Sequence, residues 1–287
     1  MNKGASIRAK LSNIAKAEDV AFQTLIFRFL HERFLYRLSQ SHYKNNFFLK
    51  GGVLLYAIEN EITRPTKDVD FLGSGVSNDL EEIRNAFIEI CQVNDDDAVW
   101  FNIETITSET IKEDVKYEGV RLFIEAGFDT IKQKIQVDVG FGDIIVPHPQ
   151  EIEYPLLLSE EKSVFINAYS KESIISEKFH AMIELSFFNS RMKDFYDIYF
   201  LLQSNEIDKM ILAESIQSTF KNRETIFTNN HSFFNTEFSE DLRLTNSWKL
   251  FLKKNKLNEV LQFNDVVNFI VKEIEPIWKH LNSLNQK

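Results

Sequence analysis

The stretch that decides the fold runs from Lys50 to Phe71 and reads KGGVLLYAIENEITRPTKDVDF. Two glycines lead into an apolar segment of helix length, and a short apolar strand follows that carries Asp68 and Asp70. Successive side chains of a strand point to opposite faces, so we expect both carboxylates on one face and Val69 on the other, toward the core. The stretch therefore predicts a glycine turn, a helix and a strand with two acids side by side.

Two carboxylates that lie close together repel each other, so the D-x-D pair is costly unless a cation lies between them. Hard oxygen ligands suit Mg²⁺, which takes one or two protein carboxylates and completes its shell with phosphates and water. The pair is therefore typical of a Mg²⁺-dependent phosphoryl or nucleotidyl transfer site, although a solvated strand end is an alternative. Gly51 and Gly52 permit close approach of a phosphate to a helix N-terminus, and Lys50 adds charge, although tight turns also use paired glycines.

Helix and strand patterns divide the rest of the chain into two regions, with prolines at 147, 149 and 155 marking a crossing segment between them. We expect an α+β core over residues 1–155 and a mostly helical domain over 156–287. The periodicities predict helices over 17–40, 53–60, 79–93, 171–188, 194–202, 206–220, 239–256 and 265–283. They predict a short strand at 47–49 and a strand at 68–72. An antiparallel meander of strands over 99–107, 117–128 and 131–141 is predicted to extend the same sheet.

Asp138 is a third acid, in the middle of an otherwise apolar strand. It falls on the polar face with Lys134 and Gln136, opposite the apolar face of the strand. If this strand neighbours 68–72, we expect the Asp138 carboxylate to join the metal cluster or to accept a proton from an attacking hydroxyl. The alternative is a surface aspartate paired with Lys134 or another neighbour.

Composition excludes several classes of protein. The single cysteine, Cys91, rules out an internal disulfide and a cysteine-based zinc site, which fits a reducing cytoplasm. No apolar run reaches the roughly 18 residues of a membrane span, and the N-terminus has no secretory signal pattern. A net charge of −10 argues against nonspecific coating of nucleic acid. The best local basic patch for contact with RNA is WKLFLKKNK at 248–256, and the alternative is that these residues form a solvated helix face.

Two further candidates lie in the C-terminal region. Lys178 lies in a helix-forming run. Either its ammonium would reach nucleotide phosphates and offset their charge, or Lys178 would be an ordinary surface lysine. Asp194 is placed to cap the N-terminus of the next helix, and Asp197 follows on nearly the same face. From chemistry alone, this group is either a solvated capping cluster or the wall of an active site.

The combination resembles a known family. Over about residues 45–200, the motifs that carry the resemblance occur in this order: GG, a helix, R-x-T-x-D-x-D, V-D-V, E-K-F-H-A and R-M-K-D-F-Y-D-I. In this combination the stretch resembles the AbiEii/AbiGii nucleotidyltransferase toxins of the DNA polymerase β-like superfamily. The superfamily usually has Gly-Ser in its first motif, and Gly52 lacks that hydroxyl. The resemblance implies a small mixed sheet flanked by helices and a helical C-terminal domain that completes the active site. The family motifs fall on Gly51, Gly52, Arg64, Thr66, Asp68, Asp70, Lys178 and Asp194.

The resemblance also implies an activity and partners. It implies a cytoplasmic toxin of a type IV toxin–antitoxin or abortive phage infection system, with Mg²⁺ or Mn²⁺ as cofactor and an NTP as substrate. The implied acceptor is an RNA, with the tRNA 3′ end foremost, and the implied protein partner is a cognate antitoxin. The implied nucleotide-binding residues are Lys50, Gly51, Gly52, Arg64, Thr66 and Lys178. The alternatives are a nucleotide-dependent modifier of proteins and an NTP-binding module without turnover.

Overall fold

The computed structural model describes residues 2–59, 65–112, 118–204, 206–258 and 260–285. Its chain forms two compact units. The first contains residues 1–142 and 149–169, and the second contains residues 143–148 and 170–287. The sequence-based division between residues 155 and 156 falls inside the first unit, because two strands on either side of that point pair with each other in its sheet.

The described part of the first unit contains four α-helices, a short 3-10 helix (His42–Asn45) and seven strands. The α-helices and strands are α1 (Lys3–Ala17), α2 (Phe22–Gln40), β1 (Phe47–Lys50), α3 (Gly51–Glu59), β2 (Asp68–Gly73), α4 (Leu80–Cys91), β3 (Trp100–Lys112), β4 (Glu118–Phe128), β5 (Ile131–Phe141), β6 (Gln150–Tyr154) and β7 (Val164–Ala168). The strands form one mixed sheet in the order β3-β4-β5-β2-β1-β7-β6. This confirms the predicted α+β class with a mixed sheet, and it confirms the antiparallel meander of β3, β4 and β5.

The predicted facing of the strands is also confirmed. Along β2, Val69 and Phe71 are fully buried while Asp68 and Asp70 are half-buried on the other face. β5 runs parallel to β2, and Val137 lies beside Val69 in the register. Because one face of the sheet consists of such apolar side chains, a slip of one residue would bury the acids, so burial fixes the register.

Several elements differ from the sequence-based expectation. The predicted helix over 17–40 begins only at Phe22, because Asp19 has a left-handed φ of 51° and separates α2 from α1, a helix that the sequence analysis did not predict. The crossing segment marked by prolines contains β6 and β7. β7 pairs in parallel with β1 through Leu49 and Ala168, residues too far apart in sequence for a local pattern to reveal the pairing.

The central helix α2 carries buried charges as well as apolar residues. Arg37 makes two hydrogen bonds, of 2.7 and 3.0 Å, to the buried carboxylate of Asp97. Glu32 forms an ion pair with Arg33 at 2.9 Å and accepts a hydrogen bond from the backbone N–H of Leu157 at 2.7 Å. Burial raises the pKa of Glu32 to about 7, against the opposing attraction of Arg33.

The described part of the second unit is helical. Its α-helices are α5 (Lys171–Leu185), α6 (Met192–Gln203), α7 (Lys209–Asn222), α8 (Thr236–Ser239), α9 (Leu242–Asn255) and α10 (Phe263–Asn285). Aromatic rings fill its core, including Phe179, Phe220 and Trp278, whose ring centroids lie 5.6–5.9 Å apart. Within the described ranges of the whole chain, no helix is long and apolar enough to span a membrane.

Candidate active site

Three aspartates meet on the polar face of the sheet in the first unit. Asp68 and Asp70 project from β2, and Asp138 projects from β5 directly beside Asp70 in the register. One carboxylate oxygen of each residue lies within 4.8 Å of the others. At an effective dielectric constant of about 20, each pair of charges at that distance repels by roughly 3 kcal/mol. The cluster is therefore a site where a divalent cation would relieve strong repulsion, and its hard oxygen donors fit such a cation.

Gly51 leaves space for this cluster. Strand β1 ends at Lys50, α3 begins at Gly51, and the glycine has a left-handed φ of 68°. A Cβ atom at Gly51 would lie only 1.9 Å from Oδ2 of Asp70, and one at Gly52 would lie 2.9 Å from the side chain of Thr66. Both positions thus need glycine because Asp70 and Thr66 lie too close for a side chain there. The absence of side chains lets the start of α3 lie next to the carboxylates.

Thr66 and Lys50 lie at the edges of the cluster. The hydroxyl of Thr66 donates a hydrogen bond of 2.7 Å to Oδ1 of Asp68, which orients that carboxylate. Lys50 lies beside Asp70 in the antiparallel pairing of β1 with β2, and its Nζ is 5.6 Å from the centroid of the Tyr169 ring. The predicted nucleotide contact Arg64 lies outside the described residues.

Arg121 is a member of this site that the sequence reasoning missed. Its Nε and Nη2 each donate a 2.8 Å hydrogen bond to one oxygen of Asp138, and Nε2 of Gln136 lies 3.1 Å from both oxygens. The partner of Asp138 is therefore Arg121 and not Lys134. The hydrogen bond to Asp138 raises the pKa of Arg121, and the charges of Asp138, Glu109 and Asp68 act in the same direction.

A signal for Arg121 was present in the sequence. The two strands of the hairpin are joined through Asp129 and Thr130, with Phe128 opposite Ile131. Counting back from such a short turn places position 121 opposite position 138. Side chains of directly opposite residues lie on the same face. The register thus forms one row of charged side chains across five adjacent strands: Lys50, Asp70, Asp138, Arg121 and Glu109.

A second charged cluster lies in the helical unit. Nζ of Lys178, on α5, lies 2.7 Å from Oδ1 of Asp194 and 2.9 Å from Oδ2 of Asp197, both on α6. Nε of Arg191 lies 2.7 Å from Oδ2 of Asp194. Both carboxylates are buried, and the Lys178 side chain is 11% exposed. The ammonium is thus fixed between two acids, and it is not an ordinary surface lysine.

The capping alternative for Asp194 is wrong. Helix α6 begins at Met192 with Arg191 in the capping position, so Asp194 lies inside the first turn and its side chain points inward to Lys178. Burial disfavours the ionised form of Asp194, but attraction to Lys178 and then to Arg191 outweighs burial and lowers its pKa below the usual value. Asp194 therefore keeps its charge and holds the Lys178 ammonium in place.

Comparison with known proteins identifies the family. A family model described as "Nucleotidyl transferase AbiEii toxin, Type IV TA system" matches residues 33–268. The chain belongs to this AbiEii family. No curated protein matches the sequence. As a member, the chain is a nucleotidyltransferase toxin of a type IV toxin–antitoxin system, with an NTP as substrate and an antitoxin as partner.

Solved structures share the fold of this AbiEii protein. A crystal structure described as "putative nucleotidyltransferase from H. pylori" is 15% identical, with a TM-score of 0.54, and the match covers 92% of this chain and 99% of that one. The protein JHP933 from Helicobacter pylori is also 15% identical, with a TM-score of 0.52 and coverage of 93% and 96%. At this identity the likeness establishes the fold alone.

Proposed function

We propose that this AbiEii toxin transfers a nucleoside monophosphate from an NTP to the 3′-hydroxyl of an RNA, with the 3′ end of tRNA as the acceptor. The observation that carries the proposal is the cluster of Asp68, Asp70 and Asp138 within 4.8 Å, next to the glycines at the start of α3. A helix N-terminus attracts phosphate groups, and an acidic cluster attracts the cation that accompanies an NTP.

In the proposed reaction, the oxygen of the acceptor hydroxyl attacks the α-phosphorus of the NTP. The bond from that phosphorus to its bridging oxygen breaks, and pyrophosphate leaves. We assign Asp68, Asp70 and Asp138 as ligands of Mg²⁺, which when bound supplies positive charge to the phosphate oxygens. Gly51, Gly52, Lys50 and Thr66 border the triphosphate in this proposal, and Arg64 remains a predicted contact.

The remaining roles concern the proton and the developing charge. We assign Asp138 to accept the hydroxyl proton, while Arg121 holds both of its oxygens in a fixed orientation. Asp194 is paired with both Lys178 and Arg191, which lower its pKa. We assign Asp194 to position Lys178, whose ammonium offsets charge on the phosphates. We propose that such transfer to tRNA halts translation and thereby serves the toxin–antitoxin or phage-defence role.

The test is the incorporation of each of the four α-labelled NTPs into total tRNA with Mg²⁺. We expect label on tRNA from the wild type and none from Asp68→Ala, while Asp96→Asn, a change of an exposed acid away from the cluster, keeps full activity. Activity of Asp68→Ala close to that of the wild type would refute the assigned metal ligands. Label on protein would indicate a protein modifier, and NTP binding without any label would indicate a binding module.

A further inference from the structure

One helix of the second unit has a charge opposite to that of the chain. The segment 242–257, LRLTNSWKLFLKKNKL, carries five cationic side chains and no acidic one, although the net charge of the protein is −10. The cations are Arg243, Lys249, Lys253, Lys254 and Lys256. All five of these residues are exposed. Because acidic residues outnumber basic ones elsewhere, this concentration of like charge is a distinct surface feature.

The helix α9 separates these cations from its apolar residues. Leu244, Trp248 and Leu252 are buried at 1–3% exposure and form one side. At about 100° per residue, the four cations inside the helix fall within an arc of about 140° on the opposite side. Leu250 lies within the same arc and is 69% exposed. We call this exposed side, with Lys256 at its end, the basic face of α9.

The basic face rests on a fixed support. Nε1 of Trp248 donates a 2.8 Å hydrogen bond to the carbonyl oxygen of Leu261, and its ring lies 6.3 Å from Tyr196 and 6.0 Å from Phe263. Tyr196 is on α6, between the two aspartates that bind Lys178. The buried side of α9 therefore packs against α6, the helix that carries Asp194 and Asp197, and fixes the orientation of the basic face within this unit.

Internal ion pairs do not account for the basic face. In the parts of the chain that the structure describes, no carboxylate lies within 4 Å of any of its four lysines, and Arg243 has only Asp241 at 3.6 Å. Lys209 of the same unit, by contrast, is paired with Glu273 at 2.6 Å. Lysines in the last turn also stabilise the helix dipole, but that effect falls off within one turn and does not explain Arg243 or Lys249.

We propose that the basic face of α9 binds the phosphate backbone of the acceptor RNA. The inference rests on the proposed RNA acceptor and adds the surface that anchors it. Cations repeated along a helix match a polyanion with regularly spaced phosphates, and release of counterions supplies the binding free energy. Leu250 offers an apolar contact among the cations for a ribose or base. The surface anchors the acceptor without taking part in the chemistry.

The test compares two double variants with the same change in net charge. Lys249→Gln/Lys253→Gln neutralises the basic face, and Lys221→Gln/Lys272→Gln neutralises two exposed lysines on α7 and α10 as the matched control. Each is titrated with fluorescently labelled bulk tRNA at several salt concentrations. If each lysine contacts one phosphate, the loss of two contacts should reduce the magnitude of the slope of log affinity against log salt by about 1.4. On lowering the salt from 1 M to 0.1 M, the ratio of wild-type to variant affinity should then rise by about 25-fold. The control should keep the wild-type slope.

Several outcomes would overturn the proposal. If the basic-face variant labels and binds tRNA like the wild type, this surface is not the anchor, while the proposed transferase activity stands. If both double variants lose equal affinity, the effect is one of net charge alone. If the variant loses binding to polyglutamate but not to tRNA, the surface binds an acidic protein. If the wild type neither binds nor labels tRNA, the RNA acceptor itself is refuted along with the docking surface.

Discussion

Replacement of Arg121 by methionine tests how the third carboxylate is held. The change removes two charge-assisted hydrogen bonds of 2.8 Å to Asp138. Such bonds contribute about 1.5–3 kcal/mol each, and the low end applies because the Arg121 side chain is 31% exposed. We therefore expect the free energy of unfolding, measured in urea with EDTA present, to fall by about 2–3 kcal/mol. Arg121→Lys retains the charge but not the two-pronged contact, so its free energy of unfolding should fall less than that of Arg121→Met.

The same variant should separate metal binding from turnover. Without the guanidinium the cluster has one more net negative charge, so we expect Mn²⁺ or Mg²⁺ to bind at least as tightly as in the wild type. The Asp138 carboxylate, however, loses its two-pronged partner and keeps only the contact with Gln136; a misplacement of about 1 Å costs roughly 100-fold in rate. We expect kcat for nucleotide transfer to fall by about that factor. Metal affinity is measured by titration calorimetry and kcat with a labelled NTP.

The controls make this prediction specific to the site. Arg84→Met removes an arginine of the same unit whose Nε donates to the backbone oxygen of Ile106, and it should leave turnover unchanged. In a double-mutant cycle, Arg121→Met and Asp138→Asn should show a coupling free energy of about 2 kcal/mol. Unchanged turnover in Arg121→Met, or metal affinity that falls together with turnover, would refute the positioning role.

Three further predictions concern other parts of the molecule. Gly51→Ala should abolish nucleotide transfer and cost about 1–2 kcal/mol of stability in urea, because its Cβ would meet Asp70 and its φ is left-handed; wild-type turnover would contradict this. Lys178→Met should lower the free energy of unfolding by about 3–5 kcal/mol, because it leaves two buried carboxylates without their ammonium, whereas Lys178→Arg should lose less. Glu32→Gln should become more stable relative to the wild type as pH rises from 4.5 to 7. The folded pKa of Glu32, about 7, exceeds its unfolded value of 4.5. The wild type therefore loses about 3 kcal/mol of folding free energy as pH rises from 4.5 to 7, and the glutamine variant does not. A stability difference that does not change with pH would show that Glu32 is not the titrating group.

The core strands were predictable because their patterns are local. Alternation along 68–71 and 135–139 places apolar residues on one face and acids on the other, and hydrophobic burial enforces that choice in the folded chain. The approach of Asp138 to the other two acids needed one more assumption, that its strand neighbours β2. The structure has that neighbour, so the cluster follows from the pattern together with a single strand pairing.

Other features depend on partners that are distant in sequence. β7 contains only five residues and belongs to the sheet because β1 lies beside it, which no local pattern indicates. Asp194 has the sequence context of a helix cap, but its position is determined by Lys178 from the preceding helix. Arg121 was predictable from the hairpin register, but the nearer Lys134 on the same strand suggested a different partner for Asp138.

The mixed order of the sheet has a consequence for how the toxin is made. The Asp68 and Asp70 strand, β2, receives its third carboxylate from β5, and 67 residues separate Asp70 from Asp138 along the chain. At about 5–20 residues per second, a ribosome adds that length in roughly 3–14 s. A nascent chain, or a fragment that ends before β5, therefore has only two of the three acids. The proposed chemistry becomes available only after most of the sheet has been synthesised, so truncated products of the gene lack it.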